Sequence, residues 1–351
     1  MSAEKVVLVS LGQAFDSDES RDVYYHVITD YLREQRFDVT VQNGSEYDKE
    51  LTVQLLQDAD GVIFSSNGPL SRDVMERLPK LRYIMRYGIG LDSVDLDAAS
   101  QLGKIICYTP GYCSEEIGVH AVALGLASLR NIPYYDKYTR LGIWLKGNGP
   151  IPTHPRNMTI GLFALGASAS VVAKAMGQGF GAKVIAHDPY VDPSKAVELN
   201  VELTSFDDLL SRSDMLFIHA PLTKETFHIF NDETFNKMKP NSILVNVSRG
   251  GLVDMKALTR ALDTGKIAKA ALDVFEKEPP SRDDPLFKNE HVIATPHSAY
   301  YGRESLDRAN FLVSRITTYA LREKKLFKKH LANPAVLNHI SGYTLVDAPV
   351  V

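Results

Sequence analysis

The sequence predicts an α/β protein made of two doubly wound parallel-sheet domains. Strand-length apolar runs alternate with helix-length segments along nearly all of the 351 residues, and this alternation is typical of βαβ units with parallel strands. A Gly- and Pro-rich passage at 142–155 interrupts the alternation once, and the alternation then restarts. A chain of this length can also form about two domains, each with its own core.

Before the interruption, five apolar runs are predicted as strands and the segments between them as helices. The predicted strands cover residues 6–10, 37–42, 61–65, 81–86 and 104–108, and the predicted helices cover 22–35, 49–57, 71–77 and 95–102. A longer helix is predicted for 114–130, because Ser114 is a suitable N-cap residue and two glutamates follow it in the first turn. Pro133 lies just beyond this segment, which indicates that the helix has ended.

After the interruption, six further runs are predicted as strands. They cover residues 159–164, 183–187, 215–219, 243–247, 268–272 and 291–294. A final helix is predicted for 303–321, and the residues after 340 show no clear pattern of either kind.

Three ionisable side chains come shortly after strands of the second half. Arg249, Glu278 and His297 each follow a different predicted strand, and open α/β sheets bind their ligands at the carboxyl ends of strands. Together, a cation, a carboxylate and an imidazole are suited to holding a carboxylate substrate while a proton moves near neutral pH. A lone Arg, Glu or His in a loop is more commonly a solvated surface group, so the prediction depends on all three occurring together.

A phosphate-binding βαβ unit is predicted around the strand at 159–164. An apolar helix is predicted for 168–180, and the next strand is followed directly by Asp188. This layout places a pyrophosphate at a helix N-terminus and an acidic side chain on the ribose hydroxyls. Because no arginine follows Asp188 to accept a 2′-phosphate, the pattern favours NAD over NADP. A packed βα turn that binds no nucleotide is the alternative.

The glycine fingerprint of this unit is altered. Aligned on G-x-G-x-x-G, its three glycine positions are Ala164, Gly166 and Ala169. The third position tolerates alanine, and the glycine at which backbone must approach phosphate is kept. At the first position, a Cβ costs about 1 kcal/mol if the residue has a positive φ.

With these residues in place, the chain resembles the D-isomer-specific 2-hydroxyacid dehydrogenase family over about residues 6–337. The motifs that carry the resemblance are 86–95 (RYGIGLDSVD), 109–111 (TPG), 188–190 (DPY), 219–223 (HAPLT), 238–240 (MKP), 246–254 (NVSRGGLVD), 271–279 (ALDVFEKEP) and 295–297 (TPH). The resemblance implies a Rossmann NAD-binding domain at 111–297, inserted into a flavodoxin-like substrate domain made of 1–110 and 298–351. It also implies a homodimer whose contacts lie largely around the inserted domain.

The activity implied by the resemblance is the interconversion of a 2-keto acid and a D-2-hydroxy acid, with NAD as cofactor. Arg249 is then expected to bind the substrate carboxylate and carbonyl oxygen, His297 to donate or accept the proton, and Glu278 to pair with His297. The chemistry agrees, because hydride delivery to C2 builds negative charge on the carbonyl oxygen and a protonated imidazole can neutralise it. A neighbouring carboxylate favours the imidazolium, and the planar guanidinium of arginine matches a carboxylate.

Further site residues are carried over by motif. The backbone of Gly88, Ile89 and Gly90 is expected to help hold the substrate carboxylate, the alternative being a tight βα turn. The cofactor site is expected to include Ala164, Gly166, Ala167, Ser168, Asp188, His219, Ala220, Pro221, Val247, Ser248, Asp273 and His297. Among these, Asp188 is assigned to the ribose hydroxyls and Asp273 to the nicotinamide carboxamide. Four tyrosines near the expected site favour a larger or aromatic substrate over glyoxylate: Tyr87, Tyr112, Tyr300 and Tyr301.

Departures from the family pattern keep other functions open. Ala164 replaces a glycine, Ala167 and Ser168 stand where a basic or polar and then an aliphatic residue are usual, and Val119 replaces an acidic residue before His120. We expect His120 to be structural or cofactor-lining. The main alternative function is an NAD(H)-sensing corepressor of the C-terminal-binding-protein type, which acts through protein partners. An inactive relative that has lost its cofactor is the third hypothesis.

Composition argues against several other classes of protein. The net charge of −4 gives no basic surface for nucleic acid, and no apolar run approaches the roughly 20 residues needed to span a membrane. The only cysteines are Cys107 and Cys113, and no paired-cysteine or His-Glu-x-x-His spacing indicates a metal site. Because no signal-peptide core is recognisable near the N-terminus, the expected location is the reducing cytoplasm.

Overall fold

The computed structural model describes residues 3–11, 18–44, 48–64, 70–148 and 151–347. The chain divides into two compact units, one made of Met1–Tyr112 and Gly302–Val351 and the other of Cys113–Tyr301. Each unit contains its own parallel sheet covered by helices, so the predicted α/β fold class is confirmed. The predicted domain boundaries after 110 and 297 fall within four residues of these divisions.

The first unit is built on a five-stranded parallel sheet. Its first nine elements are β1 (Lys5–Leu11), α1 (Asp18–Glu34), β2 (Asp38–Gly44), α2 (Lys49–Leu56), β3 (Gly61–Phe64), α3 (Arg72–Glu76), β4 (Tyr83–Arg86), α4 (Leu96–Gln101) and β5 (Ile105–Cys107). The strand order is β2-β1-β3-β4-β5, with every pair parallel. This is the flavodoxin-like order, and each strand and helix predicted for this region is present.

The second unit is built on a seven-stranded parallel sheet. Its elements are α5 (Ser114–Leu129), α6 (Ile132–Arg140), β6 (Thr159–Phe163), α7 (Ala167–Ala173), β7 (Lys183–His187), α8 (Pro193–Glu198), β8 (Glu202–Leu203), α9 (Phe206–Arg212), β9 (Met215–Ile218), α10 (Asp232–Lys237), β10 (Ile243–Asn246), α11 (Met255–Asp263), β11 (Lys269–Leu272) and β12 (Val292–Ala294). The strand order is β12-β11-β10-β9-β6-β7-β8. Counted from β6 this is a Rossmann arrangement, and the order reverses between β6 and β9, where such sheets bind dinucleotides.

One sequence prediction for the helices of this unit was wrong in detail: Ser114 is already the first helical residue of α5, and Cys113 is its N-cap. The predicted end of this helix before Pro133 is confirmed, because α5 ends at Leu129. Pro133 itself lies in the first turn of α6, a helix that the sequence did not indicate. Proline is tolerated in a first turn because its missing N–H has no intrahelical partner there in any case. The predicted helix at 168–180 is α7, continued by a π-helical turn over Lys174–Gly179.

The chain then returns to the first unit. α12 (Arg303–Arg322) packs its buried face against the sheet, where the hydroxyls of Tyr83 and Thr317 lie 3.3 Å apart. β13 (Lys325–Phe327) and β14 (Thr344–Val346) form a separate parallel pair, so the tail after 340 includes a strand that the sequence did not indicate. Within the described ranges, no helix is long and apolar enough to cross a membrane.

Candidate active site

The three predicted catalytic residues follow neighbouring strands of the second unit. β10 pairs with β11 and β11 with β12, all in parallel, so their carboxyl ends lie along one edge of the sheet. Arg249 comes three residues after the end of β10, Glu278 lies in the segment after β11, and His297 follows β12. The parallel register therefore starts all three segments at the same edge, as the sequence predicted.

Glu278 and His297 form a direct hydrogen bond. The Nδ1 atom of His297 lies 2.6 Å from Oε2 of Glu278, and the second carboxylate oxygen accepts the N–H of Phe275 at 3.0 Å. Because one oxygen is tied to the backbone, the carboxylate has a defined orientation towards the imidazole. With Nδ1 as the donor to Glu278, the Nε2 atom of the ring is left to exchange a proton with a ligand.

The backbone of His297 adopts an unusual conformation. Its φ is +54°, a left-handed value that costs a non-glycine residue on the order of 1 kcal/mol and persists only where the surroundings impose it. The His297 N–H donates to the carbonyl of Asp273 at 2.8 Å. The N–H groups of Ser298 and Ala299 both donate to the Asp273 carboxylate at 2.9 Å. Asp273 therefore holds the loop of His297 through three backbone amides.

The carboxylate of Asp273 is completely buried and surrounded by donors. Thr295 donates its hydroxyl to it at 2.6 Å, and Nε2 of His120 lies 3.4 Å away. Burial alone raises the pKa of Asp273, but the hydrogen bonds from His120, Thr295, Ser298 and Ala299 outweigh burial, and the pKa is lowered. His120 thus contacts Asp273, and its role, like the assignment of Asp273 to the nicotinamide carboxamide, stays a prediction.

Arg249 lies on a half-buried loop that also carries predicted cofactor residues. Its guanidinium donates to the carbonyl of Ser248 at 2.8 Å. The Ser248 hydroxyl in turn donates to the carbonyl of Ala220, in the segment after β9. The structure therefore brings together the predicted segments 219–221 and 247–249, which lie far apart in the sequence.

The altered glycine fingerprint has a measurable backbone consequence. Ala164 has a φ of +72°, so the strain expected from a Cβ at this position is present. Gly166 has an ordinary φ of −74°, and a Cβ built on it meets no described atom within 4 Å. Neither backbone conformation nor protein packing requires glycine at 166, which leaves the space beside it for a closely approaching ligand.

Asp188 and His219 border this loop from two sides. The Asp188 carboxylate accepts the N–H of Leu165 at 2.8 Å and that of Tyr190 at 2.9 Å. His219 donates its N–H to Phe163, and its Nδ1 lies 3.0 Å from the hydroxyl of Ser168. Burial lowers the pKa of His219 to about 4, so the ring is neutral near pH 7.

The predicted substrate loop lies in the first unit, directly after β4. Gly88 has a φ of +142°, which favours glycine, and its N–H donates to the hydroxyl of Thr109 at 3.1 Å. Arg86 Nε donates to the carbonyl of Gly90 at 2.9 Å, and the side chain of Ile89 is exposed. Tyr87 is buried, with its hydroxyl donating to Asn310. The assignment of Gly88, Ile89 and Gly90 to a substrate carboxylate stays a prediction.

Comparison with known proteins identifies similar enzymes. Residues 122–299 match the family described as D-isomer specific 2-hydroxyacid dehydrogenase, NAD binding domain. D-3-phosphoglycerate dehydrogenase of Archaeoglobus fulgidus is 37% identical over 276 residues, which are 79% of this chain and 52% of that protein. The chain therefore spans about half the length of that relative. Glyoxylate reductase of Korarchaeum cryptofilum is 36% identical over 274 residues, 76% of this chain and 81% of that enzyme.

A solved structure is similar over both units. It is the NADPH-dependent glyoxylate/hydroxypyruvate reductase from Sinorhizobium meliloti in complex with NADP and malonate, with a TM-score of 0.80 and 26% identity. The similarity covers 95% of this chain and 98% of that one.

Proposed function

Because the chain belongs to the D-isomer-specific 2-hydroxyacid dehydrogenase family, we propose that it transfers a hydride between NAD(H) and a 2-keto or D-2-hydroxy acid. The observation that carries the proposal is the 2.6 Å bond between His297 and Glu278. This acid–base pair lies at the same sheet edge as Arg249.

The residues around Gly166 fit a dinucleotide. Beside Gly166 a Cβ meets no described atom within 4 Å, and a backbone that approaches phosphate closely needs such a position. Asp188 follows β7, where the ribose is expected, and no arginine accompanies it. The similar Sinorhizobium meliloti reductase is NADPH-dependent, so the fold does not decide between the two cofactors. We base the preference for NAD on the Asp188 carboxylate, which repels a 2′-phosphate.

The chain's own residues divide the remaining chemistry between them. NAD, when bound, supplies or accepts the hydride. The Arg249 guanidinium binds the substrate carboxylate and polarises the carbonyl. In the reducing direction, Nε2 of protonated His297 gives its proton to the carbonyl oxygen as that oxygen gains negative charge. Glu278 stabilises the imidazolium and holds the ring by Nδ1; oxidation uses the same groups in reverse.

A turnover assay tests the proposal directly. Thermal unfolding with NADH and with NADPH first identifies the cofactor, and we expect stabilisation by NADH. Oxidation of NADH is then followed with 3-phosphohydroxypyruvate, glyoxylate, hydroxypyruvate and phenylpyruvate. Tyr300 and Tyr301, which directly follow the loop of His297, favour a larger substrate than glyoxylate, so a strong preference for glyoxylate contradicts that part. Absence of turnover with every keto acid overturns the enzymatic proposal.

The corepressor hypothesis is not favoured. The similar proteins described above are named as dehydrogenases and reductases. The corepressor hypothesis would be supported if the protein bound NADH tightly and captured peptides but turned over no keto acid.

We also propose that the protein forms a homodimer through the second unit. Exposed apolar side chains cluster in sequence between α6 and β6, where Trp144 is 76% exposed and Ile151 is 95% exposed. None of the residues of α6, all of which the structure describes, is buried. Large exposed apolar surfaces of this kind mark interaction sites, and the family resemblance implies a second copy as the partner.

The single tryptophan makes the homodimer proposal easy to test. In a dimer, Trp144 is buried and its emission shifts to the red on dilution to monomer. Sedimentation at the same concentrations gives the mass of each species. A monomer at all concentrations, with red-shifted emission throughout, contradicts the proposal.

A further inference from the structure

Asn246 is a buried polar residue at the end of an apolar strand. It closes β10, whose sequence is ILVN, and its side chain is completely buried. An amide without partners at such a position costs about 1–3 kcal/mol, and buried amides are therefore almost always hydrogen-bonded.

Both polar ends of the Asn246 side chain are bonded to the segment that carries Arg249. Oδ1 accepts the N–H of Ser248 at 3.1 Å, and Nδ2 donates to the carbonyl of Arg249 at 2.9 Å. The orientation of the amide follows from this pair of bonds. A reversed amide would set its NH₂ against the N–H of Ser248 and its oxygen against the carbonyl of Arg249.

The two bonds restrain the backbone of Ser248 and Arg249, and so the position of the Arg249 Cα atom. The backbone between Ser248 and Arg249 is tied at both ends to one rigid amide, and the Arg249 guanidinium folds back onto the carbonyl of Ser248 at 2.8 Å. Arg249 itself is extended, with a φ of −143°. A single buried side chain at the strand end therefore holds the backbone from which the guanidinium extends.

We propose that Asn246 is a positioning residue for substrate binding that acts through Arg249. The inference rests on the proposed function, in which Arg249 binds the substrate carboxylate. A bidentate contact between guanidinium and carboxylate requires a defined geometry, and a misplacement of about 1 Å can cost a hundredfold in rate. Loss of Asn246 releases the loop and misplaces the guanidinium without removing it.

Two substitutions separate the bonds from the volume of the side chain. Asn246→Leu keeps the approximate size and removes both bonds. Asn246→Asp keeps the shape and the acceptor for Ser248 but sets a carboxylate oxygen against the carbonyl of Arg249. Asn246→Asp also serves as the test variant if Asn246→Leu does not fold, which thermal unfolding shows.

Asn333 provides a matched control in the first unit. It is also buried, its Oδ1 accepts the N–H of Ile106 at 2.9 Å and its Nδ2 donates to the carbonyl of Lys104 at 2.9 Å. Asn333→Leu therefore removes the same two kinds of bond in a different sheet, together with a third bond from Nδ2 to the hydroxyl of Ser100 at 3.2 Å. Any general effect of losing a buried asparagine appears in this variant as well.

The test is a double-mutant cycle with Arg249→Ala, measured by steady-state kinetics with NADH and the best keto acid of the panel. We expect each Asn246 variant to raise the KM for the keto acid at least tenfold, and Asn333→Leu to change it less than threefold. In the Arg249→Ala background, the Asn246 substitutions should add less than a twofold change, because residues that act as one unit are non-additive.

The outcomes distinguish the inference from the function on which it rests. If Arg249→Ala leaves the KM unchanged, the proposed role of Arg249 is wrong and the inference falls with it. If Arg249→Ala raises the KM but the Asn246 variants match Asn333→Leu, the proposed function stands and the inference is wrong. Equal effects of Asn246→Leu in both backgrounds also overturn it, because Asn246 then acts independently of Arg249.

Discussion

Gly250 packs its backbone directly against the carbonyl group of Phe275. A Cβ at Gly250 would lie 1.9 Å from the Phe275 carbonyl carbon and 2.3 Å from the nitrogen of Glu276. Gly250 follows Arg249, and Phe275 precedes Glu278 by three positions. Backbone atoms cannot rotate away as a side chain can. This contact therefore sets the distance between the loop that carries Arg249 and the loop that carries Glu278.

Replacing Gly250 should therefore separate the two loops. We expect Gly250→Ala to lower the free energy of unfolding by about 1–3 kcal/mol, as overpacking does, and to lower kcat/KM more than a hundredfold. Urea unfolding and keto-acid turnover measure the two effects. Gly251→Ala is the control, because the atoms nearest to a Cβ there belong to side chains and not to backbone: Leu222 at 3.0 Å and Phe227 at 3.6 Å. Similar losses in both variants would show that the Phe275 contact is not special.

Because Glu278 and His297 are hydrogen-bonded, we expect substitution of either residue to lower kcat strongly. We expect His297→Ala to lower kcat by a factor on the order of 10³, while the Kd for NADH stays within twofold. Glu278→Gln keeps an acceptor for Phe275 but no longer stabilises the imidazolium, so kcat should fall by roughly 10–100-fold.

Glu276→Gln is the control for Glu278. This neighbouring carboxylate lies 3.3 Å from His228 and accepts the N–H of Met255, so its loss should leave turnover nearly unchanged. Equal losses of kcat in Glu276→Gln and Glu278→Gln would contradict the proposed pairing.

The positive φ of Ala164 predicts that glycine stabilises the protein at this position. We expect Ala164→Gly to raise the free energy of unfolding by about 0.5–1 kcal/mol, because it relieves the left-handed strain of +72°. Ala169→Gly is the opposite control, since Ala169 is buried in α7 and glycine in a helix costs about 1 kcal/mol. Urea unfolding measures the free energy of unfolding of both variants. A loss of stability in Ala164→Gly would contradict the prediction.

Gly166 should be needed for cofactor binding and not for folding. A Cβ built there meets no described atom within 4 Å and φ is −74°, so Gly166→Ala should unfold like the parent protein. We expect its Kd for NADH, measured by fluorescence titration, to rise at least tenfold. Gly118→Ala is the contrasting variant, because its Cβ would lie 2.4 Å from Cβ of Val171 and should cost stability. Unchanged NADH binding by Gly166→Ala would remove Gly166 from the cofactor site.

Because the pKa of His219 is lowered by burial, we expect the free energy of unfolding to fall in acid. Burial lowers its pKa to about 4, whereas an imidazole in the unfolded chain titrates near 6.5. Between these values the unfolded chain binds the proton and the native protein does not. The free energy of unfolding therefore falls as the pH drops from about 6.5 to about 4, by at most about 1.4 kcal/mol per pH unit.

Urea unfolding at several pH values measures this slope. We expect His219→Gln to flatten it, and His291→Gln, at an exposed histidine, to leave it unchanged. A slope that is the same in the parent protein and in His219→Gln would show that another group is responsible.

Strand burial explains which elements could be predicted. β3, β4, β9 and β10 are buried along their whole length, so each reads as an apolar run that alternates with helices. A polar residue ends this run in two of them, Arg86 in β4 and Asn246 in β10. β8 has only two residues, both exposed, and β14 is exposed at two of its three positions. Both strands are too short and too exposed to form a buried apolar run, so neither was predicted.

In the candidate site too, some residues could be predicted from the sequence and others could not. Arg249, Glu278 and His297 could be found because each follows a strand, and parallel pairing brings strand ends to one edge. Asn246 was missed, although a polar residue ending an apolar strand was a usable signal. The contact between His120 and Asp273 was also missed, because it joins a helix to a strand end more than a hundred residues away.

The two parallel sheets, the strand ends and the three ionisable residues that follow them could be predicted from the amino-acid sequence, because periodicity and spacing are local properties of the chain. The left-handed backbone of His297, the bonds from its loop to Asp273 and the contact between Gly250 and Phe275 are visible only in three dimensions. Each of these depends on which distant segments meet, and a meeting of segments leaves no periodic trace in either one.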